Sequence, residues 1–232
     1  MNKIIYFETE NDFAMDKFEE KIDKTQKTVN AYDELSEIYA YKYMNYEVYV
    51  RNIKEFVEYL DEDDDVLDLC CGPGNVGRQL MLCGKNVSIT AVDLSEKMLE
   101  IAKKNVPEAE FYCQDIRTID FAEESFDAIM LSFGIVHLTD NEMKQLIEKI
   151  AKYLKPGGKL YLSFIEGTSK EFETTIYSKE AIFFNYYLTE EIENVLKDNG
   201  IEIFKINKQD YPESEGIIKT EVFVFAQKKD IT

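Results

Sequence analysis

From residue 66 onward the chain alternates short, nearly continuous apolar runs with stretches whose apolar residues recur every three or four positions. The first texture belongs to strands buried on both faces and the second to helices that cover them. Their alternation predicts an α/β domain around a mostly parallel sheet. Residues 66–71, 87–92, 110–113, 126–132 and 159–164 read as five strands. Residues 75–82 and 95–105 read as helices between them, with Ser95 as N-cap of the second. Thr139-Asp140-Asn141-Glu142 is a capping-box pattern that opens a helix to about Leu154. A helix over 189–199 is closed by Gly200, and residues 201–206 and 220–226 form two last strands joined by a polar loop. Pro73, Pro107, Pro156 and Pro212 are expected outside these elements, since proline removes a backbone donor.

Residues 1–60 read instead as helical and mostly amphipathic, without β-branched alternation. The organisation expected is therefore a helical N-terminal appendage or cap over 1–60 and one α/β domain over 61–232. An insertion at about 168–188, crowded with Phe172, Tyr177, Phe183, Phe184, Tyr186 and Tyr187, fits either a substrate-facing lid or packing on the appendage. Hydrophobic residues make up 45% of the chain, enough for a sizeable core.

Charge narrows the partners. The net charge is −19, and residues 1–65 alone hold 18 Asp and Glu against 8 Lys and Arg. Such a surface repels phosphate backbones and anionic lipid, so neither nucleic acid nor membrane is an expected partner. No apolar run is long enough to cross a bilayer, and Met1 to Glu8 lack the stretch of a signal peptide, so the expected location is cytoplasmic. The acidic run 61–65 reads as a solvated linker. Cys70, Cys71, Cys83 and Cys113 form no metal-ligand spacing and read as small core residues, with no metal expected.

The stretch Val66-Leu67-Asp68-Leu69-Cys70-Cys71-Gly72-Pro73-Gly74-Asn75-Val76-Gly77 concentrates the chemistry. Gly72, Gly74 and Gly77 spell a dinucleotide-type loop, in which backbone N–H groups face a ligand across a tight strand-to-helix turn. Asp68 lies inside the strand, where a pyrophosphate gains nothing from a carboxylate but a ligand with an ammonium group does. Asp93 ends the next strand, 19 residues after Gly74, where it can accept hydrogen bonds from both hydroxyls of a ribose. That position suits NAD equally well.

With these motifs the chain, from about Tyr32 to Lys228, resembles the class I S-adenosylmethionine-dependent methyltransferases. The Asp68–Gly74 loop resembles their D-x-G-x-G-x-G motif, with Cys70 in place of the first glycine. Val92-Asp93-Leu94-Ser95-Glu96-Lys97-Met98-Leu99 resembles the ribose-binding motif, and Lys155-Pro156-Gly157-Gly158 a turn common before strand five. Tyr32-Asp33-Glu34-Leu35-Ser36-Glu37-Ile38-Tyr39 is similar to a segment preceding many small-molecule methyltransferase domains.

The resemblance implies a Rossmann-like, doubly wound, seven-stranded sheet whose last strand is antiparallel and inserted between strands five and six. It implies S-adenosylmethionine as cofactor and a small molecule as methyl acceptor. The cofactor site it implies comprises Asp68, Cys70, Gly72 and Gly74 in the loop and Asp93 on the ribose. Leu94, Met98, Asp115 and Ile116 would surround adenine, with Ser132 lining the site. Tyr32 and Tyr39 would reach the methionine end, with packing on the sheet as the alternative, and Arg51 would pair the cofactor carboxylate, with solvent exposure as the alternative. His137, after the fourth strand, is the general-base candidate, because an unperturbed imidazole titrates near neutrality; the alternative is a packing role. A cofactor-binding protein without catalysis and an NAD-linked oxidoreductase are the competing functions. The acidity of residues 1–65 further suggests an entrance that favours neutral or amine-bearing acceptors over anionic ones; the alternative is that these carboxylates all face solvent.

Overall fold

The computed structural model describes residues 10–173, 181–212 and 218–230, with side chains in the first helix from Lys24 onward. That helix, α1 (Glu10–Tyr43), is followed by α2 (Glu47–Val57), β1 (Asp65–Leu69), α3 (Asn75–Leu82), β2 (Ser88–Asp93), α4 (Glu96–Asn105), β3 (Glu110–Cys113) and β4 (Phe126–Ser132). A short 3-10 turn, Ile135–His137, leads to α5 (Asp140–Tyr153) and β5 (Leu154–Glu166). The chain continues through β6 (Lys170–Glu173), β7 (Ile182–Asn185), α6 (Thr189–Asp198), β8 (Ile201–Pro212) and β9 (Ile218–Lys228).

Seven of the strands form one sheet in the order β3-β2-β1-β4-β5-β9-β8. Neighbours from β3 to β5 are parallel, whereas β9 runs antiparallel to both β5 and β8. The reversed strand inserted near the end of the sheet is as the resemblance implied. Helices cover both faces. Val66, Met130, Tyr161, Phe223 and Phe225 pack with α2, α3 and α4 on one side. Leu67, Leu69, Ile129 and Leu131 pack with α5 and α6 on the other. Ser95 caps α4 by accepting from the Met98 N–H, and Thr139 and Glu142 close the capping box of α5. Among the described residues no helix is long and apolar enough to cross a membrane.

Three details differ from the sequence reading. Pro156 lies inside β5 and Pro212 ends β8; the register of β4 on β5 shifts between Phe126 and Ala128, and such a bulge tolerates proline. The segment before residue 60 is not one appendage. Ile53, Phe56 and Val57 of α2 are core residues beneath the sheet, so only α1 stands apart. It lies against α4 and β7 and buries a small cluster of Ala31, Leu35 and Ile182. Finally, Cys113 is exposed rather than internal, and the insertion builds a second antiparallel pair, β6 with β7.

The parallel strands β1 and β4 leave the sheet through residues with left-handed backbone: Cys70 at φ 55° and Phe133 at φ 55°. Neither is glycine, which explains why the first position of the loop motif ordinarily is. The Cys70 side chain fills space beside Gly134, where an added Cβ would lie 2.8 Å from its Sγ and 2.5 Å from Leu131 Cδ1. Replacing Gly134 by alanine should therefore overpack the junction and cost about 1–3 kcal/mol in urea denaturation. Adding Cys70→Gly in the same chain should return part of that loss; strict additivity in the double-mutant cycle would contradict the contact.

Candidate active site

A cavity of about 250 Å³ runs along the carboxyl ends of the parallel strands and is roofed by α1 and the β6–β7 pair. Ligands of open α/β sheets bind at this edge. From β3 toward β9 its floor presents Asp115, Asp93, Gly72, Ser132, Phe133 and finally Glu221.

Asp93 is held in place by its neighbours' backbones. Gly72 N–H donates to Oδ2 at 2.8 Å and Ser95 N–H to Oδ1 at 2.9 Å, so the carboxylate ties the glycine loop to the turn before α4. Burial raises its pKa, and those N–H groups pull it back. Leu94, Met98, Ile116 and Cys70 line the cavity with it. Asp115 does so too, but its carboxylate is already engaged. Arg117 Nε donates to both of its oxygens at 2.9 Å, and Arg117 continues to Glu142 at 2.9 Å. Glu142 in turn meets Lys24 of α1 at 3.2 Å. This chain of charges fastens the roof to the β3 end of the cavity. Nothing in the sequence pattern singles Arg117 out.

The glycines divide their work. Gly72 faces the cavity with φ 53°, and a Cβ there would point into open space. Gly74 does not line the cavity: a Cβ on it would meet Val106 Cγ2 at 2.9 Å, so it serves the left-handed cap of α3 and close packing on α4. Arg51 is not brought to the site either. It is exposed on α2, with its guanidinium 3.3 Å from Gln209 Oε1. Asp68 is buried in β1 without lining the cavity, and neither of its oxygens has a side-chain partner, the Gly77 N–H being the one backbone donor that acts on it. Burial and the nearby Asp93 charge push its carboxyl up to about 8.

Tyr32 and Tyr39 reach the cavity from α1, as do Thr25, Thr28 and Tyr43. The charge expected from this segment does not. Among the described residues of 1–65, none of the carboxylates lines the cavity; Asp33, for example, is turned to Ser95 Oγ at 2.5 Å. Negative charge at the site comes from the sheet edge and from Glu173 of β6, because α1 presents its aromatic side inward. Of the rings expected as a lid, Phe184 lines the cavity, Tyr187 is core, Phe172 is exposed and Tyr177 lies outside the described residues.

Residues 66–158, which span the glycine loop through the Lys-Pro-Gly-Gly turn, match the family model described as a methyltransferase domain. Demethylmenaquinone methyltransferase of Thermotoga maritima is 36% identical over 128 residues, 54% of this chain and 55% of that protein. The chain thus spans about half the length of the curated relatives it matches. The 1,6-didemethyltoxoflavin-N1-methyltransferase of Burkholderia thailandensis, solved with S-adenosylhomocysteine, superposes with a TM-score of 0.64 at 15% identity, covering 98% of this chain and 94% of that one. The [4+2]-cyclase SpnF also superposes, with a TM-score of 0.63 at 18% identity over 78% of this chain and 81% of its own. The segment 66–158 is thus similar to a methyltransferase domain, and the sheet around it has the fold of these solved structures.

His137 sits between roof and floor. Its Nδ1 lies 2.9 Å from the Phe183 carbonyl, which can only accept, so Nδ1 carries the proton and Nε2 accepts from Tyr32 Oη at 3.1 Å. Burial lowers its pKa to about 4. Both ring nitrogens are occupied and the neutral form is held, an arrangement that suits joining α1 to β7 better than accepting a proton near pH 7. A base whose folded pKa lies below its unfolded value destabilises the fold as pH falls. Stability should therefore be complete above about 6.5 and fall toward pH 4, by up to roughly 3 kcal/mol. Urea titrations of the wild type and His137→Gln over that window should differ in slope; identical slopes would show that the imidazole is not held neutral.

Proposed function

We propose that this chain transfers the methyl group of S-adenosylmethionine to a small molecule bound beneath α1. The observation that carries the reading is Asp93: a carboxylate fixed by two backbone N–H groups at the end of β2, facing a cavity beside a glycine that leaves room for a ligand. Asp68 adds a second point of fit, since a buried carboxyl without a side-chain partner is costly and an ammonium group nearby would offset that cost. When bound, S-adenosylmethionine supplies an electrophilic methyl carbon: the acceptor's lone pair forms the new bond while the electron pair of the breaking C–S bond stays on sulfur. The chain's own task is to align the partners and exclude water. Asp93 would hold the ribose, Leu94, Met98 and Ile116 would enclose adenine beside Asp115, and Gly72 and Ser132 would border the methionine end. The buried, aromatic roof suits a small acceptor, and a cytoplasmic location with no nucleic-acid or membrane partner fits the net charge of −19.

The SpnF likeness favours one second reading, in which the cavity binds the cofactor but the reaction is another. Methyl transfer from labelled S-adenosylmethionine across a small-molecule library separates the two. An absence of turnover with tight cofactor binding would favour the second.

Two further outcomes are expected in calorimetry. S-adenosylhomocysteine should bind and NAD should not, and Asp93→Ala should weaken binding about ten- to a hundredfold, as for hydrogen bonds to a charged group. An unchanged dissociation constant in a folded variant would remove Asp93 from the site. In addition, an ammonium arriving near a carboxyl that titrates at about 8 should expel its proton. At pH 7 binding should release close to one proton, seen as a buffer-dependent enthalpy, and Asp68→Asn should abolish the release.

A further inference from the structure

The far end of the cavity holds a second buried carboxylate. Glu221 lies near the start of β9, paired in register with Ile165 of β5 and sharing a face with Phe223 and Phe225. Apolar packing on that face calls for another hydrophobic residue, yet a carboxylate stands there with 5% exposure. Tyr49 of α2 donates to its Oε1 at 2.6 Å, while Oε2 is buried with no hydrogen-bond partner. A buried carboxylate oxygen left so is unfavourable unless something else meets it.

Its surroundings specify what that is. Tyr39, Tyr43, Tyr49, Phe133 and Tyr211 line this end of the cavity together with Glu221. The rings form a continuous wall: Tyr39 and Tyr43 are 4.6 Å apart between centroids, Tyr43 stacks on Tyr49 at 5.7 Å, and Tyr49 meets Phe133 at 5.0 Å. Ring faces carry negative potential and attract cations. An ammonium already uses the outer side of this wall, where Lys42 Nζ lies 4.8 Å from the Tyr43 centroid and 2.9 Å from Tyr211 Oη. Lys42, outside the cavity, is engaged by Tyr211 although its charge draws the Glu221 carboxyl back down, and the other charges lining the cavity are matched. Arg117 is bound to Asp115 and Glu142, and Lys219, two residues before Glu221 on its face, is bound to Glu173 at 2.9 Å. An anionic or phosphorylated acceptor would stand between Asp93 and Glu221 without a cation reserved for it.

Position separates this end from the cofactor. Asp115, Asp93 and Gly72 follow β3, β2 and β1, whereas Glu221 lies on β9, four strands beyond β2 and so about 19 Å along the sheet. Tyr39 stands between, its phenol raised by burial and by the charges of both Asp93 and Glu221.

Resting on the methyltransferase reading, we infer that the acceptor is an amine whose ammonium group is held by Glu221 Oε2 within the tyrosine wall. Glu221 then takes its proton: the N–H bond breaks, its electron pair stays on nitrogen, and the proton forms an O–H bond on Oε2. That lone pair is the nucleophile of the proposed transfer, and the proton afterwards leaves to solvent. Burial raises the Glu221 carboxyl above the usual range, which suits it to accept.

The test uses full-length protein saturated with S-adenosylhomocysteine and two probes of one shape, 2-phenylethylamine and 2-phenylethanol, titrated by calorimetry. The wild type should bind the amine at least about tenfold more tightly than the alcohol. Glu221→Gln should erase that preference while leaving S-adenosylhomocysteine affinity unchanged, which also shows that the variant is folded. Tyr49→Phe, which removes the donor but not the charge, should keep the preference. Equal binding of the probes, no binding of the amine at millimolar concentration, or a preference that survives Glu221→Gln would overturn the proposal. Failure of the wild type to bind S-adenosylhomocysteine would instead strike the methyltransferase reading beneath it.

Discussion

Strands β1 and β4 must both stop at the same edge of a parallel sheet and turn away from it within a residue. Each does so through a side-chain-bearing residue in the left-handed region, Cys70 and Phe133, at a cost of roughly 1–3 kcal/mol apiece. Neighbouring strands hold them there: Cys71 N–H donates to the Val92 carbonyl at 3.0 Å and Phe133 N–H to Ser163 Oγ at 3.0 Å. The two turns open the gap above the strand ends, expose Gly72 to it and swing the Phe133 ring toward Tyr49 and Phe223. Without them the chain would continue across the edge and fill the space a ligand needs.

Three carboxylates then stand along that edge in different states. Asp93 is satisfied by backbone N–H groups, Asp115 by a guanidinium, and Glu221 only in part by a phenol. Satisfaction falls from the β3 end toward β9. The well-satisfied groups form a rigid template, and the least satisfied one retains the strongest demand for a partner.

Most of the sheet was legible because its strands are buried on both faces and therefore read as apolar runs, with glycine and proline between them. The in-strand position of Asp68 and the strand-end position of Asp93 were legible for the same reason. Glu221 carried the same signal, a carboxylate inside the apolar run 220–226, and was overlooked because no loop motif drew attention to it. For Arg51 the sequence left two places open, the methionine end and solvent, and helical phase decides for solvent, turning it outward to Gln209. The acidic count of 1–65 misled for a related reason. Charge totals carry no direction, and α1 spends its inward face on threonine and tyrosine. Arg117 joins Asp115 to Glu142 and through it to Lys24, a relation among three distant segments that appears only on folding.

The attachment of α1 is of a different kind from the rest. The body is held by two extensive apolar clusters, whereas the roof rests on Ala31, Leu35 and Ile182, a chain of ions through Lys24 and Glu142, and the bond between Tyr32 and His137. Among the described residues this attachment is more polar than the two core clusters, and contacts of that kind are where local opening needs less free energy than global unfolding. A roof that opens on its own would let a ligand in and out without disturbing the sheet edge beneath it.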